Sequence, residues 1–102
     1  MRFAITTASN GAEQIIDAPE LITGIWKHVA VTLNGNIGIL YVDGLESARN
    51  STMSLSPSDL GSTTQNYIGK SQWNDPYLNG QVDDFRIYNR ALTAAEITVL
   101  AQ

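Results

Sequence analysis

The chain contains no cysteine and few basic residues. The absence of cysteine excludes disulfide bonds and zinc sites with cysteine ligands, and it leaves the redox compartment open. Six lysine and arginine residues stand against ten acidic ones, for a formal net charge of −4. They are scattered, which argues against a surface for nucleic acid or anionic lipid. No apolar run is long enough to insert into and span a bilayer, and the single histidine leaves few members for a nucleophile–base pair.

The residues that are present indicate a β protein organised around positions 25–44. In the first part of this stretch Val29 and Val31 alternate with side chains of the opposite face, and a period of two is typical of a strand. Asn34–Asn36 suits a tight hairpin turn because Asn and Gly tolerate positive φ. The returning limb, Ile37–Val42, is almost wholly apolar, which predicts a strand covered on both faces.

The same stretch predicts a register and a third strand. A two-residue hairpin loop places the two valines on the same face as Leu40 and Val42. The chain then turns at Asp43-Gly44 and continues into a more polar limb, Leu45–Arg49. We therefore predict a three-stranded antiparallel meander at the centre of a β-sandwich.

Alternating apolar residues predict further strands on both sides of this meander. They fall at Arg2–Ala8, Glu13–Asp17, Gln65–Lys70 and Leu78–Tyr88. Within the last, the alternation slips at Val82–Phe85, which favours a β-bulge. Residues Asn50–Thr64 are rich in Ser, Thr, Asp, Pro and Gly and predict a long connection with room for one short strand.

The C-terminal residues predict one short helix. Thr93 and Glu96 have the spacing of a capping box, and Leu92 and Ile97 have that of a hydrophobic staple across it. A helix of about two turns is not stable alone, so we expect it to pack on the sheet.

Three segments together resemble the laminin-G-like, concanavalin-A-like jelly-roll domains. They are WKHVAVTLNGNIGILYVDG at 26–44, YIGKS at 67–71 and LNGQVDDFRIYNRALTAAEI at 78–97. The resemblance implies an all-β fold: an antiparallel β-sandwich of jelly-roll type with a short C-terminal helix. A whole domain of this kind is longer, so residues 1–102 are predicted to form a single, partial domain that corresponds to its C-terminal part. The sandwich is then truncated.

A truncated sandwich poses a problem of cover. A strand that is apolar on both faces needs packing on both sides, and unpaired strand edges promote association. We therefore expect a complementing chain, most simply a second copy in a homodimer or a swapped sandwich.

The loop before the last predicted strand holds the candidate ligand-binding residues Trp73, Asn74, Asp75 and Tyr77. Sugars present apolar ring faces and hydroxyl groups, which suit aromatic stacking combined with hydrogen bonding. The alternative is that Trp73 and Tyr77 fold back and cover a sheet.

Asp83 and Asp84 are the only adjacent carboxylates, and the resemblance implies calcium as a candidate cofactor at a sandwich rim. Calcium takes six to eight oxygen ligands, which two aspartates cannot supply alone. The alternative is that they accept hydrogen bonds from loop amides or pair with Arg86 or Arg90. For His28 we expect a structural, hydrogen-bonded role.

The resemblance implies non-catalytic recognition of a glycan or glycoprotein, or adhesion, and an extracellular or cell-surface location. The N-terminus itself lacks the apolar stretch of a signal peptide. Glycoside hydrolysis needs two carboxylates that face one bond, and no such cluster is evident, so we expect no enzyme activity. Two further interpretations are a structural module that pairs with another chain and a fragment of a glycosidase accessory region.

Overall fold

The computed structural model describes all 102 residues, which form two small antiparallel sheets and one short helix. The strands are β1 (Arg2–Ile5), β2 (Gln14–Asp17), β3 (Val29–Asn34), β4 (Ile37–Val42) and β5 (Leu45–Asn50). The α-helix is α1 (Ala94–Leu100), and single 3-10 turns lie at Asn10–Ala12 and Pro57–Leu60. The seven-residue helix α1 is too short to cross a membrane. The predicted fold class, a truncated antiparallel sandwich with a C-terminal helix, is confirmed.

The predicted meander is present, with β4 between β3 and β5. Val29 pairs with Val42 and Val31 with Leu40, so the predicted register is confirmed. Gly35 has a φ of 60° in the first hairpin, as the first central residue of a two-residue hairpin turn requires. In the second turn both Asp43 and Gly44 have positive φ, the pattern of a type I′ turn.

Strand β3 is shorter than the alternating pattern indicated, since it begins at Val29 and not at Ile25. Val29 pairs with the last residue of β4, after which the chain turns and offers no further partner. His28 closes the ladder instead. Its N–H donates to Asp43 Oδ1 (3.0 Å), and its C=O accepts from the Asp43 N–H (2.8 Å).

The central strand β4 is covered on both faces, as predicted. Leu40 is 1% exposed and points to one side, where it packs with three buried side chains of the first cluster: Ile5, Ile16 and Met53. Tyr41 is 4% exposed and points to the other side, against Leu92 and Ile97. The β1–β2 hairpin therefore covers one face, and the C-terminal helix region covers the other.

Two polar side chains join β2 to the residues around the end of β5. The Gln14 Oε1 accepts from the main-chain N–H groups of Ser54 and Leu55, each at 2.9 Å. The Asn50 Nδ2 donates to the carbonyl of Ile15 at 2.8 Å. These bonds fix the small sheet against the meander, and they satisfy main-chain groups that would otherwise lack partners.

The predicted strands Gln65–Lys70 and Leu78–Tyr88 are not formed, and this part of the sequence interpretation is wrong. The Leu78 N–H donates to the Gly69 carbonyl (2.8 Å), but no further ladder bond joins the two segments. Alternation records which face a side chain would take in a sheet, but a strand also needs a neighbour for its main-chain groups. No neighbouring strand reaches these residues, so their apolar side chains stay exposed. Ile87, the extreme case, is 84% exposed.

The predicted bulge and the predicted short strand are also not formed, although each segment shows a related local feature. Asp84 has a φ of 54°, a left-handed conformation of the kind found at some bulges, although no partner strand is present to form one. Between Asn50 and Thr64 the chain forms a 3-10 turn and no strand. Met53 is nevertheless a buried anchor of the first cluster.

Helix α1 begins as the sequence predicts. The Glu96 N–H donates to Thr93 Oγ1 and the Thr93 N–H donates to Glu96 Oε1, both at 3.2 Å, which is a complete capping box. Leu92 and Ile97 pack together beside Tyr41. The Arg90 guanidinium also pairs with Glu96 and, with the Thr93 N–H, lowers the pKa of its carboxyl to about 2.

Gly38 allows β4 to approach β2, and we predict that Gly38→Ala is destabilising. An added Cβ would lie 2.7 Å from Ile16 Cδ1 and 3.1 Å from both Leu33 and Met53, inside the core. Overpacking of this kind typically costs about 1–3 kcal/mol. Urea unfolding should show the loss, whereas the control Gly11→Ala, whose nearest atom is 3.8 Å away, should not. Equal urea midpoints for Gly38→Ala and Gly11→Ala would refute the close approach of β4 to β2.

The lowered pKa of Glu96 predicts a loss of stability in acid. Its folded value of about 2 lies below the ordinary 4.5, so the carboxylate stabilises the fold fully above pH 4.5 and loses this effect as pH falls toward 2. Glu96→Gln should therefore be less stable than the natural chain at pH 7, by a difference that shrinks at pH 3. Urea midpoints of both proteins at both pH values measure this. Other carboxylates titrate equally in the two proteins, and an unchanged difference would contradict the prediction.

Candidate ligand-binding site

The candidate site is a closed loop between Gly69 and Leu78. The hydrogen bond from the Leu78 N–H to the Gly69 carbonyl brings the two ends together. Gly69 has a φ of 81°, a conformation that side-chain-bearing residues rarely adopt. The loop is therefore a turn of chain with a defined base.

Inside the loop Ser71 organises the main chain. Its Oγ accepts from the Trp73 N–H (2.8 Å) and donates to Asp75 Oδ2 (2.9 Å). One hydroxyl thus fixes the backbone of Trp73 and the carboxylate of Asp75 at the same time. Local side-chain bonds of this kind hold a loop in one shape without a strand or helix.

The aromatic residues of the loop face solvent. Trp73 is 71% exposed and Tyr77 is 73% exposed, and Asn74 and Asp75 between them are exposed as well. The alternative, that Trp73 and Tyr77 fold back over a sheet, is not the arrangement in this structure. All four predicted residues lie together in one loop, with flat apolar surface beside polar groups.

Lys70 extends the aromatic surface. Its Nζ lies 4.5 Å from the ring centroid of Tyr67 and 5.8 Å from that of Tyr77. Both distances are within the range of cation–π contacts. Sequence reasoning missed Lys70 and Tyr67. The available signal was a lysine among aromatic residues with no acidic residue within four positions on either side.

Asp83 and Asp84 are engaged locally. Asp84 accepts from Arg86 Nε (2.8 Å) and Nη2 (3.0 Å), and Asp83 Oδ1 accepts from the Asp84 N–H (2.8 Å). The neighbouring Tyr88 and then Asp84 raise the pKa of Arg86. These are the contacts of the alternative interpretation.

The same two carboxylates do not by themselves fit calcium. No group of three His, Cys, Asp or Glu side chains in the structure could hold a metal ion, and calcium takes six to eight oxygen ligands. The assignment of Asp83 and Asp84 as metal ligands therefore stays a prediction.

His28 contributes through its main chain. Its N–H, with the ammonium of Lys27 at 2.7 Å, holds the Asp43 carboxylate in the β4–β5 turn and lowers the pKa of that carboxyl. The ring Nδ1 is buried without a hydrogen-bond partner. The expected structural role is thus seen in the backbone bonds, whereas the ring makes no bond through Nδ1.

The fold agrees with comparisons to known proteins. Residues 1–98 match the laminin-G family described as the Concanavalin A-like lectin/glucanases superfamily. The crystal structure of an S-layer domain-containing protein (residues 221–444) from Clostridium thermocellum ATCC 27405 is 44% identical and superposes with a TM-score of 0.73. The match covers 99% of this chain and 51% of that one, so this chain spans about half the length of the crystallised protein. A search of the curated proteins found no match.

The family match extends over nearly the whole chain and includes the meander, the loop and the capped helix. It also agrees with the two antiparallel sheets and the C-terminal helix of the structure. The chain belongs to the concanavalin A-like lectin/glucanases superfamily.

Proposed function

We propose that this chain is a non-catalytic module that binds carbohydrate through the loop at 69–78. The observation that carries the proposal is the exposure of Trp73 and Tyr77 on a loop whose shape is fixed by its own hydrogen bonds. Exposed aromatic residues on a loop whose main chain is held by its own hydrogen bonds offer a preformed surface for a ligand. Membership of a lectin-containing superfamily and similarity to an S-layer domain-containing protein support a role on glycans at a cell surface.

The chemistry of the loop suits a sugar. The apolar face of a pyranose ring can stack on Trp73 or Tyr77, and its hydroxyl groups can bond to the Asn74 amide and the Asp75 carboxylate. Sites for small ligands commonly combine an apolar surface with a few polar groups that set orientation. Preorganisation by Ser71 reduces the entropy that binding would otherwise cost.

The ionisable groups support a non-catalytic role. Where carboxyl pKa values are shifted they are lowered, at Asp17, Asp43, Glu46 and Glu96, each chiefly by a bonded cation. A general acid at neutral pH needs a raised pKa, and glycoside hydrolysis needs that acid opposite a second carboxylate. The shifted carboxyl groups of this chain instead have lowered pKa values.

We predict that Trp73→Ala lowers glycan binding by roughly tenfold or more, since truncation of a tryptophan anchor often costs about 2 kcal/mol and tenfold corresponds to about 1.4 kcal/mol. A glycan array probed with the natural chain and the variant measures this. Trp26→Ala is the matched control, because Trp26 is also exposed but lies outside the loop. Parallel arrays with calcium and with chelator test Asp83 and Asp84 as metal ligands. Silence of the natural chain, or unchanged binding by Trp73→Ala, would refute the proposal.

A second candidate function, assembly with another chain, is favoured by a different observation. The segments 65–70 and 78–88 carry alternating apolar side chains, yet they are joined by one main-chain hydrogen bond and Phe85 and Ile87 are exposed. An apolar patch of this kind on a folded domain typically marks an interaction surface. Strand-like segments without neighbours also offer main-chain groups for pairing.

The occupant that we propose for this surface is a second copy of the chain. Each copy exposes the same two segments, so the segments of one copy can pair with those of the other across a two-fold axis. A homodimer or swapped sandwich would then supply both the missing neighbours and the apolar cover. This arrangement needs no other component, and most soluble oligomers are built from identical chains.

We predict a dimer of twice 11.1 kDa in light scattering coupled to size-exclusion chromatography. Ile87→Lys should shift the mass toward the monomer, because a charge would be placed in the apolar contact. The control Ile22→Lys alters a similarly exposed isoleucine outside the two segments and should leave the dimer intact. A monodisperse monomer at high concentration would rule out the second-copy assignment.

A further inference from the structure

One cation of this chain has no acidic partner. Five of the six lysine and arginine side chains form ion pairs: Arg2 with Asp17, Lys27 with Asp43, Arg49 with Glu46, Arg86 with Asp84 and Arg90 with Glu96. The sixth is Lys70, which lies in the candidate loop. Because every other cation of this acidic chain is paired, the unpaired Lys70 in the candidate loop indicates which charge a ligand of the loop would carry.

Two aromatic rings hold the Lys70 ammonium in place. Tyr67 and Tyr77 lie 4.5 Å and 5.8 Å from its Nζ, and the lysine itself is exposed. A cation–π contact orients an ammonium group but does not neutralise its charge or use all its N–H donors. Asp75, the carboxylate in the same loop, accepts instead from Ser71 at 2.9 Å. Lys70 thus presents a positioned positive charge to solvent.

We infer that Lys70 recognises an acidic group on the ligand, so that the loop binds a carboxylate-bearing saccharide such as a uronic acid. This inference rests on the proposed carbohydrate-binding function and specifies its ligand class. The Lys70 Nζ lies over the faces of Tyr67 and Tyr77, so a sugar ring stacked on Trp73 or placed at the edge of Tyr77 leaves the ammonium free to bond to the sugar carboxylate. The hydroxyl groups on the other side of the ring meet Asn74 and Asp75.

Selectivity for acidic over neutral sugars follows from desolvation. A ligand that covers the exposed side of the Lys70 ammonium removes water from it, and loss of that water is unfavourable unless another group replaces it. A carboxylate replaces it with a charge-assisted hydrogen bond, whereas a neutral sugar offers only a hydroxyl oxygen. The net charge of −4 opposes acidic ligands at long range, but salt screens this within about 8 Å at physiological ionic strength. The contact with Lys70 therefore determines whether an acidic or a neutral sugar binds more tightly.

The experiment compares acidic glycans with their methyl esters, which keep the sugar and remove the charge. An array carrying such pairs, with oligogalacturonate and its methyl ester followed up by calorimetry, is probed with the natural chain and with Lys70→Met. Lys27→Met is the matched control, because it changes the net charge equally at a site outside the loop. Circular dichroism confirms that each variant is folded.

The natural chain should bind acidic members roughly tenfold tighter than their esters, a factor that corresponds to about 1.4 kcal/mol. Lys70→Met should abolish that preference by lowering the affinity for the acid to that of the ester, and Lys27→Met should retain it. Equal binding of acid and ester that is lost in Trp73→Ala but kept in Lys70→Met would overturn the role of Lys70 and leave the carbohydrate site standing. Absence of binding to every member of the array would overturn the site itself.

Discussion

The two-sided cover of β4 is the constraint on which the rest of the structure depends. Leu40 and Tyr41 are consecutive residues, so they point to opposite faces, and each needs an apolar layer of its own. The β1–β2 hairpin supplies one layer, and the residues around α1 supply the other. The N-terminal hairpin and the C-terminal helix therefore both pack on the central strand β4. The precise cap of α1 matters for the same reason, since a seven-residue helix is useful as cover only if it begins at a fixed place.

The same requirement explains why the segments 65–70 and 78–88 look different from the rest. Their apolar side chains alternate as those of β3 do, but β3 has β4 beside it and they have no neighbour. The hydrogen bond between Gly69 and Leu78 is the first rung of a hairpin whose ladder does not continue. A second layer of chain, such as another copy could provide, would satisfy the main-chain groups and the apolar faces together.

Sequence reasoning succeeded where the information is local. The meander, its register and the capped helix depend on turn residues and on spacings of a few positions, as at Asp43-Gly44 and at Thr93 with Glu96. It failed for Gln65–Lys70 and Leu78–Tyr88, because alternation specifies a face and does not specify which strand lies beside it. Trp73, Asn74, Asp75 and Tyr77 were placed in one loop correctly, but their exposure could not be read from residue types. Lys70 was missed because its local sequence, which holds no acidic residue, does not exclude a distant acidic partner, and only the five other ion pairs of the structure show that it has none.

Sugar binding and assembly are compatible in this architecture. The two segments that lack strand neighbours are joined by the loop at 69–78, and the Gly69–Leu78 bond closes that loop at its base. A chain that pairs with the two segments, or packs on Phe85 and Ile87, contacts residues 65–70 and 78–88, whereas residues 71–77 of the loop lie between the segments. Trp73 then lies outside the paired length, in the loop between the two segments. Completion of the sandwich would stiffen the base of the loop and leave its aromatic surface open, so assembly would favour recognition by reducing the freedom that a ligand must otherwise restrict.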